Sequence, residues 1–362
     1  MSARAMRQLT YRLSFLTPAF LGNAEQSAQW RTPPLKALLR QWWRVVYWAQ
    51  HPGASEAAMR DAEGRLFGHA WLENDRNTKD GKVAARRSQV RLRLSAWTQG
   101  KLAAGRWEAL PTVRHPEVPQ AVPADLYLGY GPVVLPRGQR SPTLKAGAAI
   151  QAGEEAGFSL AIPDDAAPSL VRALSLMNRF GTLGGRSRNG WGSFVLTPEG
   201  ETPALANALN ADCVRPWLEA LELDWPHAIG SDARGPLIWQ FGETASDWKD
   251  VMRRLAQLKI ALRTQFRFPH ERPDGEVHER HWLSYPITKH KVQAWDRSGL
   301  RLPNTLRFKV RADADGRLRG LVFHVPCRPP AAFRPDDHAI KQVWQRVHAH
   351  LDRDATLQRI PG

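Results

Sequence analysis

Apolar and polar positions alternate at the start of the chain: over residues 8–15, Leu9, Tyr11, Leu13 and Phe15 fall on one side and polar residues on the other. A period of two predicts a strand with one buried face. After Pro33 and Pro34 the period changes, and apolar residues at 35, 38, 39, 42 and 46 recur at helical spacing. Proline is preorganised for a helix start, so a helix is predicted over 34–49. A second helix is predicted over 55–67, stopping at Gly68. Alternation returns over 89–97, where Val90, Leu92 and Leu94 oppose Arg91, Arg93 and Ser95, giving a strand with an arginine-bearing face.

Residues 105–150 hold many prolines and glycines and only short apolar runs, which reads as a long insertion around one short strand, LYLGY. A strand over 157–162, a helix over 166–180 and a strand over 192–198 follow. The order is β-α-β-β-α-β, the ferredoxin-like arrangement shared by RNA-recognition modules. The polar stretch TPEGETPA marks a boundary near residues 200–206. Beyond it, strands are predicted at 236–241 and 282–287, a helix at 247–262, two strands around a turn at 313–316, and a last helix at 337–352. The expected fold class is therefore α+β: two ferredoxin-like (RRM-like) domains, residues 1–202 with the long insertion and residues 203–362, without a strict sequence repeat.

Composition adds the nature of the partner. The 362 residues are 43% hydrophobic with 15 tryptophans, as befits a folded chain, and carry a net charge of +16 with a pI near 10.5. The basic excess is concentrated in the first 200 residues. A basic surface can serve solubility alone, but a clustered, arginine-rich excess is the footprint of a polyanion binder. The amino end has no apolar run long enough for a signal or a membrane span, so a cytoplasmic location and no membrane partner are expected. Cys213 and Cys327 stand too far apart for a zinc pattern or a disulfide framework.

Three basic features are candidates for contact with RNA. The first is GTLGGRSRNGWG at 181–192, with five glycines, two arginines and no acidic residue. Glycine permits positive φ and close approach, so Gly184 and Gly185 can turn main-chain N–H groups outward as an anion cradle. Arg186 and Arg188 supply planar forks for phosphate oxygens, Asn189 donates or accepts, and Trp191 offers a stacking face. The glycine spacing matches neither a P-loop nor G-x-G-x-x-G, and a flexible basic turn is the bland alternative. The second is the stripe Lys36, Arg40 and Arg44 at i, i+4 and i+8, edged by Trp43 and Tyr47 and joined by Arg31. Its bland reading is a solvated face over a core tryptophan. The third is residues 77–93, a basic, mobile loop with Arg86 and Arg87 feeding a strand. No catalytic or metal motif emerges: His270, His278 and His281 lack H-E-x-x-H spacing, and no nucleophile elbow is present. No cofactor is expected.

The strand, the TPAFLGNAEQ loop, the RTPPLKALLRQWWR helix and the glycine loop together resemble the RAMP superfamily of CRISPR effector proteins, and within it the first subunits of type III-B Cmr complexes. The matching positions are Thr17, Pro18, Phe20 and Gly22; then Arg31, Pro33, Lys36, Leu39, Arg40, Trp42, Trp43 and Arg44; then Gly184 to Gly192. The resemblance implies two ferredoxin-like domains in a ribonucleoprotein subunit that holds the 3′ part of a guide RNA, engages target RNA and sits beside other RAMP subunits. It implies that target cleavage belongs to a different subunit. Two rivals stay open: a guide-processing endoribonuclease of the same superfamily, with Tyr47 or His51 as its reactive group, and a metabolic protein using the glycine loop to hold a mononucleotide.

Overall fold

The first alternating run forms a strand, β1 (Met6–Phe15), with Leu9, Tyr11, Leu13 and Phe15 all buried. In this computed structural model residues 5–269 and 275–361 are described. The chain is α+β and divides into two units: Met1–Ala103, Ala146–Gly185 and Gly192–Cys213 form the first; Ala104–Lys145, Arg186–Trp191 and Val214–Gly362 form the second. This departs from the expected division at residue 202. The insertion groups with the second unit, and so do six residues of the glycine loop, while the first unit runs on to Cys213.

In the first unit, β1 is followed by α1 (Thr32–Gln50), α2 (Glu56–Phe67), β2 (Arg91–Leu94), β3 (Glu155–Pro163), α3 (Ala167–Phe180) and β4 (Phe194–Pro198). The sheet order is β4-β1-β3-β2, with every pair antiparallel and Leu9 opposite Leu160 and Leu13 opposite Leu196. α1 and α3 pack on each other, with the Trp42 and Phe180 rings 5.7 Å apart. Pro33 and Pro34 open α1 as anticipated. The Ser55 hydroxyl caps α2 by accepting from Ala58 N at 3.1 Å. The strand expected over 89–97 shrinks to four residues. It is an edge strand paired only with β3, so one ladder supports it and its arginines face outward.

In the second unit, β5 (Ile238–Phe241), α4 (Trp248–Thr264), β6 (Leu306–Ala312), β7 (Leu318–His324), α5 (Asp337–Arg353) and β8 (Leu357–Arg359) follow one another. Their sheet order is β6-β7-β5-β8, again wholly antiparallel. Written by position in the β-α-β-β-α-β series, both sheets run fourth, first, third, second. Apolar side chains from the sheet and from α4 and α5 fill the core: a Cβ on Gly320 of β7 would lie 2.6 Å from the Phe241 ring and 3.2 Å from Val251. Deep in that core the His324 ring stacks on Trp344 at 4.1 Å between centroids.

Two local expectations fail. LYLGY is no strand: Ala124–Gly129 is a short helix against α4, and Asp125 at its start accepts from Trp107 Nε1 at 2.9 Å. Residues 282–287 form no strand either; a 3-10 turn, Glu279–Trp282, runs into isolated bridges from Tyr285 to Leu302 and from Ile287 to His290. In both places most of the apolar run packs by tertiary contact rather than in a ladder, and period alone does not separate the two. No helix of the described residues is long and apolar enough to cross a membrane.

Candidate nucleic-acid interface

Within the first unit, the glycines of the loop serve close packing rather than an open cradle. Gly184 has φ +92°, and a Cβ there would lie 2.7 Å from the Phe20 carbonyl oxygen. Gly192 has φ +64°, and a Cβ there would meet the Leu183 carbonyl oxygen at 1.9 Å. The N–H groups point inward: Gly185 donates to Phe20 O at 3.0 Å and Gly192 to Pro18 O at 2.8 Å. Arg31 donates to Gly22 O at 2.6 Å, tying the same Thr17-to-Gly22 loop from its other end. Gly184 and Gly185 are thereby reassigned from anion binding to loop docking, and Arg31 also holds that loop.

The basic stripe on α1 is also reassigned. Glu63 of α2 is 1% exposed, and both arginines reach it: Arg40 Nε at 3.1 Å, and Arg44 Nε and Nη2 at 2.9 Å each. Trp43 is 5% exposed, its ring against Phe67 at 5.7 Å and Tyr47 at 5.1 Å, so it belongs to the core and offers no face to a base. Lys36 is half-buried, and burial together with the neighbouring Arg40 charge lowers its pKa. The third feature is likewise more ordered than a mobile loop. Arg86 grips Asp75 through two bonds of 2.9 and 2.7 Å, and His69 adds a third at 2.8 Å. The Arg86 guanidinium holds the Asp75 carboxyl well below the usual carboxylate range. Arg87 stays exposed.

The remaining loop residues, Arg186 to Trp191, belong to the second unit and meet the insertion there. Arg186 Nε donates to Tyr130 O at 2.6 Å, and Asn189 Nδ2 donates to Leu128 O at 2.6 Å. The Asn189 side-chain oxygen accepts from Lys259 Nζ on α4 at 2.8 Å. The Arg188 main chain accepts from Phe308 N at 2.9 Å, and burial lowers the pKa of its guanidinium. Trp191 is fully buried, with the rings of Trp107 and Trp248 at 5.8 and 5.9 Å. It anchors the loop and has no face for a base.

These contacts leave a cavity of about 830 Å³ in the second unit, walled by Tyr130, residues 186–189, Lys259, residues 284–289, Lys291 and residues 301–304. Six of its lining side chains are cationic: Arg186, Arg188, Lys259, Lys289, Lys291 and Arg301. Among the described residues that line it, none is a carboxylate. Arg263 stands behind the wall, donating to Ser284 Oγ at 2.8 Å. Lys259 is the most perturbed of the six. Burial first, then the charges of Arg263 and Arg186, push its pKa down to about 7, and its ammonium lies 5.8 Å from the Tyr127 ring centroid. A cation held against its own desolvation is one whose charged form a neighbouring anion favours.

Of the residues expected to contact RNA, the cavity gathers Arg186, Arg188 and Asn189. Lys259, Lys289, Lys291, Arg301 and Tyr130 were not anticipated. The run TKHK at 288–291 signals basic character, but Lys259 sits on an amphipathic helix and Tyr130 in the insertion, and nothing local marks either. His278 and His281 cap a turn: His278 Nδ1 accepts from Arg280 N at 3.2 Å, and His281 Nδ1 accepts from His278 N at 2.9 Å. His270 lies outside the described residues. No cluster of metal-ligating side chains occurs among the described residues. His51 stacks on Tyr47 at 4.2 Å, beside a separate cavity of about 270 Å³.

On this α+β chain, six basic side chains thus converge on one cavity that no carboxylate lines among the described residues. No family model and no curated protein matches the sequence. Among solved structures, the chain is similar to Cmr1 from Pyrococcus furiosus in its apo form, at 13% identity over 98% of this chain and 99% of that one, with a TM-score of 0.46. It is similar to a chain of the type III-B Cmr-beta complex bound to cognate target RNA, at 11% identity over 94% and 99% of the two chains, with a TM-score of 0.44. A chain of a type IV-B CRISPR complex matches at 12% identity over 57% of this chain and 96% of that one, with a TM-score of 0.31. At these values the likeness alone decides neither fold nor function.

Proposed function

We propose that this protein is a non-catalytic RNA-binding subunit of a type III-B CRISPR ribonucleoprotein, holding guide RNA and engaging target RNA beside other RAMP subunits in the cytoplasm. The cavity, lined by six basic side chains and by no carboxylate among the described residues, carries the reading. The sheet order fourth, first, third, second in both units supports two ferredoxin-like modules. The motif residues support the family: Arg31 and Gly185 lock the opening loop, and Arg186 and Asn189 wall the cavity. An open groove that neutralises several phosphates gains affinity with each one, whereas a mononucleotide site does not. Titration of the full chain with oligoribonucleotides of increasing length tests this: affinity rises with length, and mononucleotides bind weakly. A mononucleotide binding as tightly as a long RNA would overturn the proposal, and a discrete cleavage product from repeat RNA without metal would move the protein to the endoribonuclease reading.

Lys259 adds a pH signature. Its ammonium loses its proton near pH 7 in the free protein, and a phosphate beside it favours the charged form. Binding therefore takes up a proton above that pH, so RNA affinity falls as pH rises, by at most about tenfold per pH unit. Folding stability moves oppositely, rising with pH between the folded and unfolded pKa values, where only the unfolded lysine keeps its proton. Affinity measured at several pH values shows the decline in the parent protein and a flat profile in Lys259→Met. An equal decline in both excludes Lys259 as the titrating group.

A further inference from the structure

We propose that Tyr130, contributed by the insertion, is the platform on which the cavity stacks one nucleobase of a single-stranded RNA; this rests on the RNA-binding reading above. Tyr130 is 63% exposed, and among the exposed large apolar side chains of the described residues it alone lines the basic cavity. The phosphate-directed groups around it are suited to the backbone of the same ligand.

The backbone carrying this ring is held from several sides. Leu128 O accepts from Asn189 and Tyr130 O from Arg186, each at 2.6 Å, so the glycine-loop motif positions the turn. Gly129 packs so closely that a Cβ would lie 3.0 Å from Val133 and 3.1 Å from Trp191 Nε1. Gly131 follows with φ +114°, a conformation that side chains resist, and its open side faces the Arg186 guanidinium, 3.6 Å from where a Cβ would be. A nucleotide whose base lies on Tyr130 therefore meets Arg186 at once, while Lys289, Lys291 and Arg301 on the same cavity wall are available to the phosphates that follow. Trp43 and Trp191, the tryptophans that the sequence offers for this role, are both buried. Stacking on a single aromatic is sequence-tolerant, because every base has a π-face. The site thus recognises single strands over duplexes rather than one base over another.

Fluorescence anisotropy with full-length protein, a labelled ten-nucleotide oligoadenylate and an abasic ribose-phosphate strand of the same length tests the proposal. Tyr130→Ala is expected to weaken oligoadenylate binding about tenfold, leave the dependence on salt unchanged and bind the abasic strand like the parent protein. Tyr130→Phe keeps parent affinity, and an unchanged melting temperature shows that the ring is not structural. Parent-like binding of oligoadenylate by Tyr130→Ala would overturn the stacking role while RNA binding stands. A reduced salt dependence in Tyr130→Ala would also overturn it, since the residue would then act only through Arg186. If the parent protein binds neither strand at any salt concentration, the RNA-binding reading itself fails.

Discussion

Replacing Lys289, Lys291 and Arg301 together by alanine is expected to weaken RNA binding roughly 50-fold at physiological salt and to leave the fold intact. Each neutralised phosphate of a single strand contributes about 0.7 to the slope of log K against log salt, so three lost contacts flatten that slope by about 2. Extrapolated to 1 M salt, the affinities of parent and variant converge, because the missing contribution is counterion release. The three residues suit the test because they line the cavity on the segments 284–291 and 301–304 and take no part in the core. Lys291 does hold Asp296 at 2.8 Å, but both side chains are exposed, and such a pair contributes little to stability. Arg188 suits it poorly, since its half-buried guanidinium reaches Asn304 O at 3.4 Å and its main chain pairs with β6. A triple variant whose affinity and salt slope match the parent would remove the cavity from the RNA path.

The double variant Arg40→Ala/Arg44→Ala has the opposite signature. It strips both cations from a carboxylate that is 1% exposed. Leaving a buried charge without its partners costs about 3–5 kcal/mol. For a unit of this size that lowers the melting temperature by roughly 10 °C. Adding Glu63→Gln recovers part of the loss, since a neutral amide is cheaper to bury than a carboxylate. RNA affinity per folded molecule and its salt slope stay at parent values. Calorimetry together with the salt titration separates the two roles: parent-like melting with a flattened slope would return the α1 stripe to the RNA surface.

Much of the architecture was legible from period alone. The alternation in β1, the helical spacing of α1 and α3 and the proline and serine at helix starts each specify a local conformation that the tertiary structure keeps. The insertion was not legible, because LYLGY fits a short strand and a short helix equally well until α4 is there to pack against. The division of the chain was not legible either. Residues 104–145 and 186–191 join the second unit through contacts that have no sequence period. The glycine loop was recognised as special, and its arginines and asparagine do line the cavity, but its main-chain amides were read as facing outward. Glycines do permit outward N–H groups, but here Gly185 and Gly192 spend theirs on Phe20 and Pro18.

By itself the sequence determined the element order, the basic excess and the positions where the backbone must do something unusual, since those depend on local sterics and on summed charge. Only the tertiary structure decided which cations are available to a ligand. A guanidinium is committed or free according to the carboxylates that folding brings to it: Glu63 takes Arg40 and Arg44, and Asp75 takes Arg86. Around the cavity, segments far apart in the chain converge with no lining carboxylate among the described residues, and Lys259 is drawn there against its own desolvation. Burial sorted the aromatics in the same way, sending Trp43 and Trp191 into the core and leaving Tyr130 at the cavity wall.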